Sequence, residues 1–355
     1  MIDFWGIGYR VAQKMGIETT VRDAGYQIES LRSVGGDGQI RAQVRVDAIR
    51  RALGGKLTSL PRGDLAAAIF STIEDDVETL FSDSILAVDD RPDGVRLTFA
   101  NAPEREFDLV VGADGLHSNV RRLTFGPDAQ FERYLGCRVA AFVVEGYHSR
   151  DELAYVTHNL PGRQIGRFAL RGNRTMFLFV FRSDHESDGD DAAAAKTRLR
   201  REFGDAGWEC PQILAALDDA SDLYFDVVSQ IRMPRWSRGR VLLIGDAAGC
   251  VSFLAGEGTG LAMAEAYVLA GELARAEGAH REAFDAYETR LRPVIEAKQD
   301  GSRKLISFFA TRTSIGIRFR DLAMRTMNVP LLADSMLALL ARSLRDDIEL
   351  PDYAI

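Results

Sequence analysis

Two kinds of apolar pattern divide the chain. Short unbroken apolar runs occur at 109–111, after Asp108, and at Val241-Leu242-Leu243-Ile244. Such runs predict strands buried on both faces, as in a parallel sheet flanked by helices. Between them, apolar and polar positions alternate at 137–144, 153–158, 166–171 and 176–181, with Gly172-Asn173 as a tight turn. Period two with turn residues at the joints predicts an antiparallel sheet, and 224–232 reads as a further strand.

Helical spacing is found at 7–15, 61–73, a stretch ending near Phe203, 211–217 and the Ala/Leu-rich segment up to Ala274. It returns at 281–298, where Pro293 predicts a kink, then at 302–328 and 331–344. Ser118 is placed to cap a short basic helix ending near Gly126. The polar tract 183–195 reads as a surface loop. Strands are also expected at 79–88 and 94–99, and at 27–33 and 39–45 around the turn 34–38. That turn is no dinucleotide fingerprint, because position six from Gly36 is Arg41 and no buried strand precedes it. The pair Phe308-Phe309 reads as core, and the basic amphipathic stretch 302–325 as a helix with a solvated face or one packing across domains or a dimer contact.

With 355 residues, 46% hydrophobic and 27% charged, the chain is long enough for one or two domains with a large core. A formal charge of -8 argues against a nucleic-acid binder and against general attraction to anionic lipid. Cys137, Cys210 and Cys250 are widely spaced and form no CxxC pair, which suits reduced thiols. His117, His148, His158 and His185 lack metal-ligand spacing, so no metal is expected. No long apolar run or signal peptide is seen, and a cytoplasmic location without membrane contact is the expectation.

Chemistry concentrates where the buried runs end. Val241–Ile244 stops at Gly245-Asp246-Ala247, and the loop Gly256-Glu257-Gly258-Thr259-Gly260 then opens a helix. A strand-end carboxylate can accept from a sugar hydroxyl, glycines admit close backbone approach, and a helix N-terminus offers unpaired N–H groups. Alone, the stretch also fits a buried strand turning into a core helix. The run at 109–111 ends likewise, in Gly112-Ala113-Asp114-Gly115.

Two such strand ends flanking an inserted antiparallel sheet, with a helical tail, make the chain resemble the FAD-dependent aromatic hydroxylases, which include p-hydroxybenzoate hydroxylase and the tetracycline-inactivating monooxygenases. The resemblance covers nearly the whole chain. It implies an α/β Rossmann-like FAD-binding domain (1–132 and 233–290), an inserted, mostly antiparallel substrate sheet (133–232) and C-terminal helices (291–355). It further implies that Asp114 and Gly115 lie by the FAD pyrophosphate and influence NAD(P)H binding. Gly245, Asp246 and Ala247 would hold the ribityl chain, and Gly256, Gly258, Thr259 and Gly260 would cover the pyrimidine edge of the flavin. Arg62 matches a cofactor-contacting arginine. Gly249 and Phe253 replace the family's His and Pro, which implies altered loop packing. The family's opening strand–GxGxxG–helix unit has no match, so the chain is expected to be N-terminally shortened, with strand edges exposed.

The implied activity is monooxygenation of a small hydrophobic or aromatic compound with FAD, NADPH or NADH, and O₂, by a monomer or homodimer. Because the cofactor carries the hard chemistry, no catalytic triad is required. Phe168, Phe177 and Phe179 are candidate pocket or core residues of the sheet. A flavin reductase or dehydrogenase without oxygen insertion, or a non-catalytic relative unable to retain FAD, also fits the residues.

Overall fold

The computed structural model describes residues 1–147, 151–184, 191–302, 306–328 and 348–353. The chain opens with β1 (Ile2–Trp5), α1 (Gly6–Lys14), α2 (Glu18–Ala24), β2 (Ser30–Val34), β3 (Ile40–Arg45), α3 (Val46–Ala52), β4 (Leu57–Leu60) and α4 (Arg62–Phe70). A meander of β5 (Ile85–Asp90), β6 (Val95–Phe99) and β7 (Arg105–Phe107) leads to β8 (Val110–Gly112) and α5 (Asn119–Thr124). Then follow β9 (Glu132–Glu145), β10 (Ala154–Leu160), β11 (Arg163–Leu170), β12 (Arg174–Arg182), α6 (Ala192–Phe203), α7 (Cys210–Ala216) and β13 (Tyr224–Ile231). The remainder is β14 (Ser237–Arg238), β15 (Val241–Leu243), α8 (Asp246–Gly249), α9 (Gly258–Arg275), α10 (His280–Ser302), α11 (Ile306–Phe309) and α12 (Ser314–Thr326).

The two buried runs meet as expected: β15 pairs in parallel with β8, Leu242 opposite Val111, and β14 completes a small sheet. Val241, Leu242 and Leu243 are fully buried, under helices α9 and α10. Within β8 only the ends are buried, and Val111 is exposed.

The larger sheet has seven strands in the order β13-β9-β12-β11-β10-β2-β3. Its antiparallel core follows the alternation, with Gly172 and Asn173 both at positive φ in the β11–β12 turn. Beyond that core it departs from the expected limits. The 27–45 hairpin forms, but β2 adds in parallel to β10, so the sheet takes two strands from outside 133–232. The limit drawn at 290 also falls inside α10, which runs continuously through Pro293 and buries Leu291 and Ile295 on either side of it.

Three other expectations change. Residues 79–84 are not strand, which starts at Ile85. Among the described residues, the single helix expected at 302–328 is broken after Phe309, and Thr313 caps the separate α12 by accepting from Gly316 N–H. Phe309 packs on the core while Phe308 is exposed. Helix α12 covers the free edge of β3: Arg325 donates to Arg41 O at 2.6 Å, and Asn328 accepts from Arg45 N–H and donates to Gln43 O. Side chains thereby satisfy an edge that would otherwise template pairing. The helix expected at 331–344, His148 and His185 lie outside the described residues.

Candidate functional site

At the end of β15 the backbone turns sharply. Gly245 has φ 61°, a conformation that favours glycine, and Asp246 begins α8. The turn is held from beneath by Glu265 of α9, which accepts from Gly245 N–H at 2.6 Å and from Tyr287 Oη at 2.9 Å. Burial pushes the Glu265 carboxyl up to about 7. Burial also raises Asp246, while the Cys250 thiol and the charge of Arg62 pull it back. Among the described residues no N–H or guanidinium is hydrogen-bonded to Asp246, so its carboxylate is free to accept from a ligand.

The glycine loop divides its work. Gly256 adopts left-handed φ 69° and ends the 3-10 turn Phe253–Ala255. A Cβ on Gly258 would lie 3.5 Å from Asp246 Oδ1, so this glycine keeps the space between the carboxylate and the α9 N-terminus clear. Gly260 faces elsewhere: a Cβ on Gly8 would come within 2.7 Å of Gly260 Cα, so the two glycines let α1 and α9 touch. No side chain caps α9 at Glu257, which leaves first-turn N–H groups beside Asp246 for a ligand.

Helix α10 fixes the loop from behind. Gln230 Nε2 donates to Val251 O and Gln299 O, and Gln299 Nε2 donates to Ile231 O and Cys250 O. Lys298 pairs with Glu257 at 2.8 Å. No sequence signal marked these amides, because Gln is ordinarily a surface residue. Cys250, at the centre of the loop, is buried and its thiol is pushed well above the ordinary range, which leaves it unreactive.

The other strand end is built into a helix start. Asp114 accepts from Ser118 Oγ and from Val120 N–H (2.9 Å), and Ser118 caps α5 through Arg121 N–H. Both Asp114 oxygens therefore hold the helix start, with Gly115 at φ 80° in the turn before it. Arg121, fully buried, was not singled out from sequence. Its guanidinium donates to Leu116 O, Asp128 Oδ1 and Ala247 O, which ties the two carboxylate turns together.

The two sheets meet at a mouth beside Asp246. Burial raises the pKa of both Asp246 and Tyr224, and the charge of Arg62, at the start of α4, opposes the rise in each. The Tyr224 ring lies nearly parallel to Phe253, centroids 6.1 Å apart, and both are over two-fifths exposed. Tyr224 Oη and His117 Nε2 both engage Asp226 of β13 (3.1 and 2.9 Å), so the 114–118 turn is bonded to the large sheet. His158 is instead a core residue against Val34 O.

The registers settle which face of the large sheet looks at this mouth. Phe177 and Phe179 point to the opposite side and pack with Phe142 under α6 and α7. On the mouth side, Ser33, Thr157, Gly166, Leu178, Ala141 and Tyr224 stand opposite one another across six strands. They form one row between the row containing Phe168 and Met176 and the row containing Asn159, Gln164 and Val180. Leu254, Ile306 and Ala310 pack on the latter row at Val139 and Val180.

A half-buried carboxylate whose protein donor is the Cys250 thiol, an uncapped helix N-terminus and a glycine whose Cβ would lie 3.5 Å from that carboxylate fit a polyhydroxylated, phosphate-bearing cofactor. Residues 9–302 match a family described as FAD binding domain. An uncharacterised protein of Mycobacterium tuberculosis is 38% identical over 304 residues, covering 84% of this chain and 81% of its own. A flavin-dependent monooxygenase of Legionella longbeachae is 31% identical, covering 99% and 88%. Among solved structures, tetracycline destructase Tet(55) is 30% identical with a TM-score of 0.83, covering 99% and 88%. Klebsiella pneumoniae HpxO complexed with FAD and uric acid, at 20% identity and a TM-score of 0.76, shares the fold.

Proposed function

The chain belongs to the FAD-binding-domain family of flavin-dependent monooxygenases, and from that premise we propose that it hydroxylates a small hydrophobic or aromatic compound. Substrate, O₂, NAD(P)H and a proton give hydroxylated substrate, water and NAD(P)⁺. FAD, when bound, supplies the redox chemistry with NAD(P)H and O₂. Asp246 would accept from a ribityl hydroxyl, and the N–H groups opening α9 would face the flavin's electron-rich edge. Arg62 would add positive charge there. Tyr224, Phe253 and this face of the large sheet would hold a planar substrate and exclude water.

The observation that carries this reading is the juxtaposition of Asp246 with both the α9 N-terminus and the Tyr224–Phe253 pair at the edge of the large sheet. Asp114 would act by holding α5 and the turn before it, and Ala247 by accepting from Arg121. NADPH against NADH, oligomeric state and a cytoplasmic location belong to the same proposal; among the described residues no helix is long and apolar enough to cross a membrane.

The test is an absorbance spectrum after incubation with FAD and desalting, followed by NADPH oxidation with candidate aromatics. Retained flavin and an oxygenated product are expected, and Asp246→Ala should weaken FAD binding by about tenfold or more. Peroxide without oxygenated product would overturn oxygen transfer in favour of a reductase. A protein that stays colourless would overturn the FAD reading.

A further inference from the structure

A separate cleft of about 660 Å³, of the size that small-molecule sites have, lies at the start of β15, the end opposite Asp246. Four segments build it: the end of α5, the loop after it, the 233–239 approach to β15 and the first turns of α10. None of the residues placed at the Asp246 mouth lines it. Its apolar lining includes Phe131, Met233 and Phe284, all buried, and the half-buried Phe125.

The charged lining is cationic. Arg235, Arg238 and Arg281 face one carboxylate, Asp285, in a chain whose 52 acidic residues outnumber its 44 basic ones. Arg238 donates to Thr124 O at 2.6 Å, which anchors one guanidinium to the end of α5. Among the described residues, Arg235 and Arg281 have no ion pair and no side-chain hydrogen bond. Their neighbours in the same segments, Arg232, Arg290 and Arg292, are all paired with carboxylates. Like charges gathered around one cavity repel each other, and a bound anion relieves the repulsion.

We propose that this cleft binds a phosphomonoester carried on an aromatic group, at a site separate from those of the flavin and its substrate. Three guanidiniums against one carboxylate leave a surplus of two positive charges, which a phosphate near its dianionic form balances. The guanidinium fork matches phosphate oxygens, which favours that anion over others. A bare phosphate would leave the phenylalanines and most of the volume unfilled, so the rest of the ligand is apolar and planar.

The probes are 1-naphthyl phosphate, 1-naphthol and inorganic phosphate, titrated calorimetrically into the full chain with and without FAD. 1-Naphthyl phosphate is expected to bind about tenfold or more tighter than either of the other two, with the same Kd whether or not FAD is present. The double variant Arg235→Gln/Arg281→Gln should reduce its affinity to that of 1-naphthol. Phe125→Ala should weaken it about threefold or more while leaving inorganic phosphate unchanged. Thermal melts of both variants check that the fold is kept. Binding no tighter than that of inorganic phosphate, or unaffected by Phe125→Ala, would mark a non-specific cationic patch and overturn the proposal. Binding that survives the double variant, or that FAD displaces, would place the ligand elsewhere and overturn it too, as would no binding. Whether the chain retains FAD is read on the same samples and bears only on the cofactor reading.

Discussion

Arg121 Nη1 donates to the carbonyl oxygen of Ala247 at 3.0 Å, across 126 residues of sequence. One buried side chain thus fixes the distance between the turn after β8 and the turn after β15. Arg121→Ala would leave two carbonyls unmet and Asp128 with Arg122 alone, at a cost of about 3 kcal/mol. Arg121→Lys should recover little, because an ammonium cannot reproduce the guanidinium fork. Denaturant midpoints check both, and FAD affinity should fall with them.

The glycines of α1 and α9 separate packing from binding. Gly8→Ala places a methyl 2.7 Å from Gly260 Cα and should destabilise the fold by about 1–3 kcal/mol. Gly258→Ala meets only Asp246 Oδ1 at 3.5 Å, so its melting temperature should hold while FAD affinity drops. Thermal melts and FAD titrations on the pair would reveal any failure of this separation.

Glu265 makes stability depend on pH. Its carboxyl is raised to about 7 from 4.5, so the folded chain keeps a proton that the unfolded chain releases. Stability should therefore fall as pH rises from about 4.5 to about 7 and stay lower above it, by a total on the order of 3 kcal/mol. Glu265→Gln, which can still accept from Gly245 N–H and Tyr287 Oη, should flatten that slope and be the more stable protein at pH 8. Urea titrations across the range read the difference.

The His117–Asp226 bond titrates in a higher window. Asp226 raises the His117 pKa, so the bond's contribution is full below about pH 6.5 and is lost as pH rises through the folded value. With His117 56% exposed, screening limits it to under about 1 kcal/mol. His117→Gln should remove the corresponding pH dependence of the denaturant midpoint.

Much of this was legible locally. Period-two alternation located β9 to β13, the apolar runs located β8 and β15, and Ser118 declared the start of α5, because pleat, burial and capping are set by neighbours in sequence. The carboxylate turns and glycine loop were legible for the same reason: a tight turn into a helix needs particular residues at particular offsets. The resemblance to the aromatic hydroxylases gave those turns a cofactor.

Other features depended on partners far along the chain. Strand β2 could not be assigned to the large sheet, since its parallel partner β10 lies some 120 residues away and parallel pairing leaves no turn signature. Alternation placed Phe177 and Phe179 on one face, but only α6 and α7 decided that this face is core. Arg121, Gln230, Gln299 and Arg320 look in sequence like any surface polar residue. Each became structural because folding buried it against backbone carbonyls, where an unmet hydrogen bond is costly.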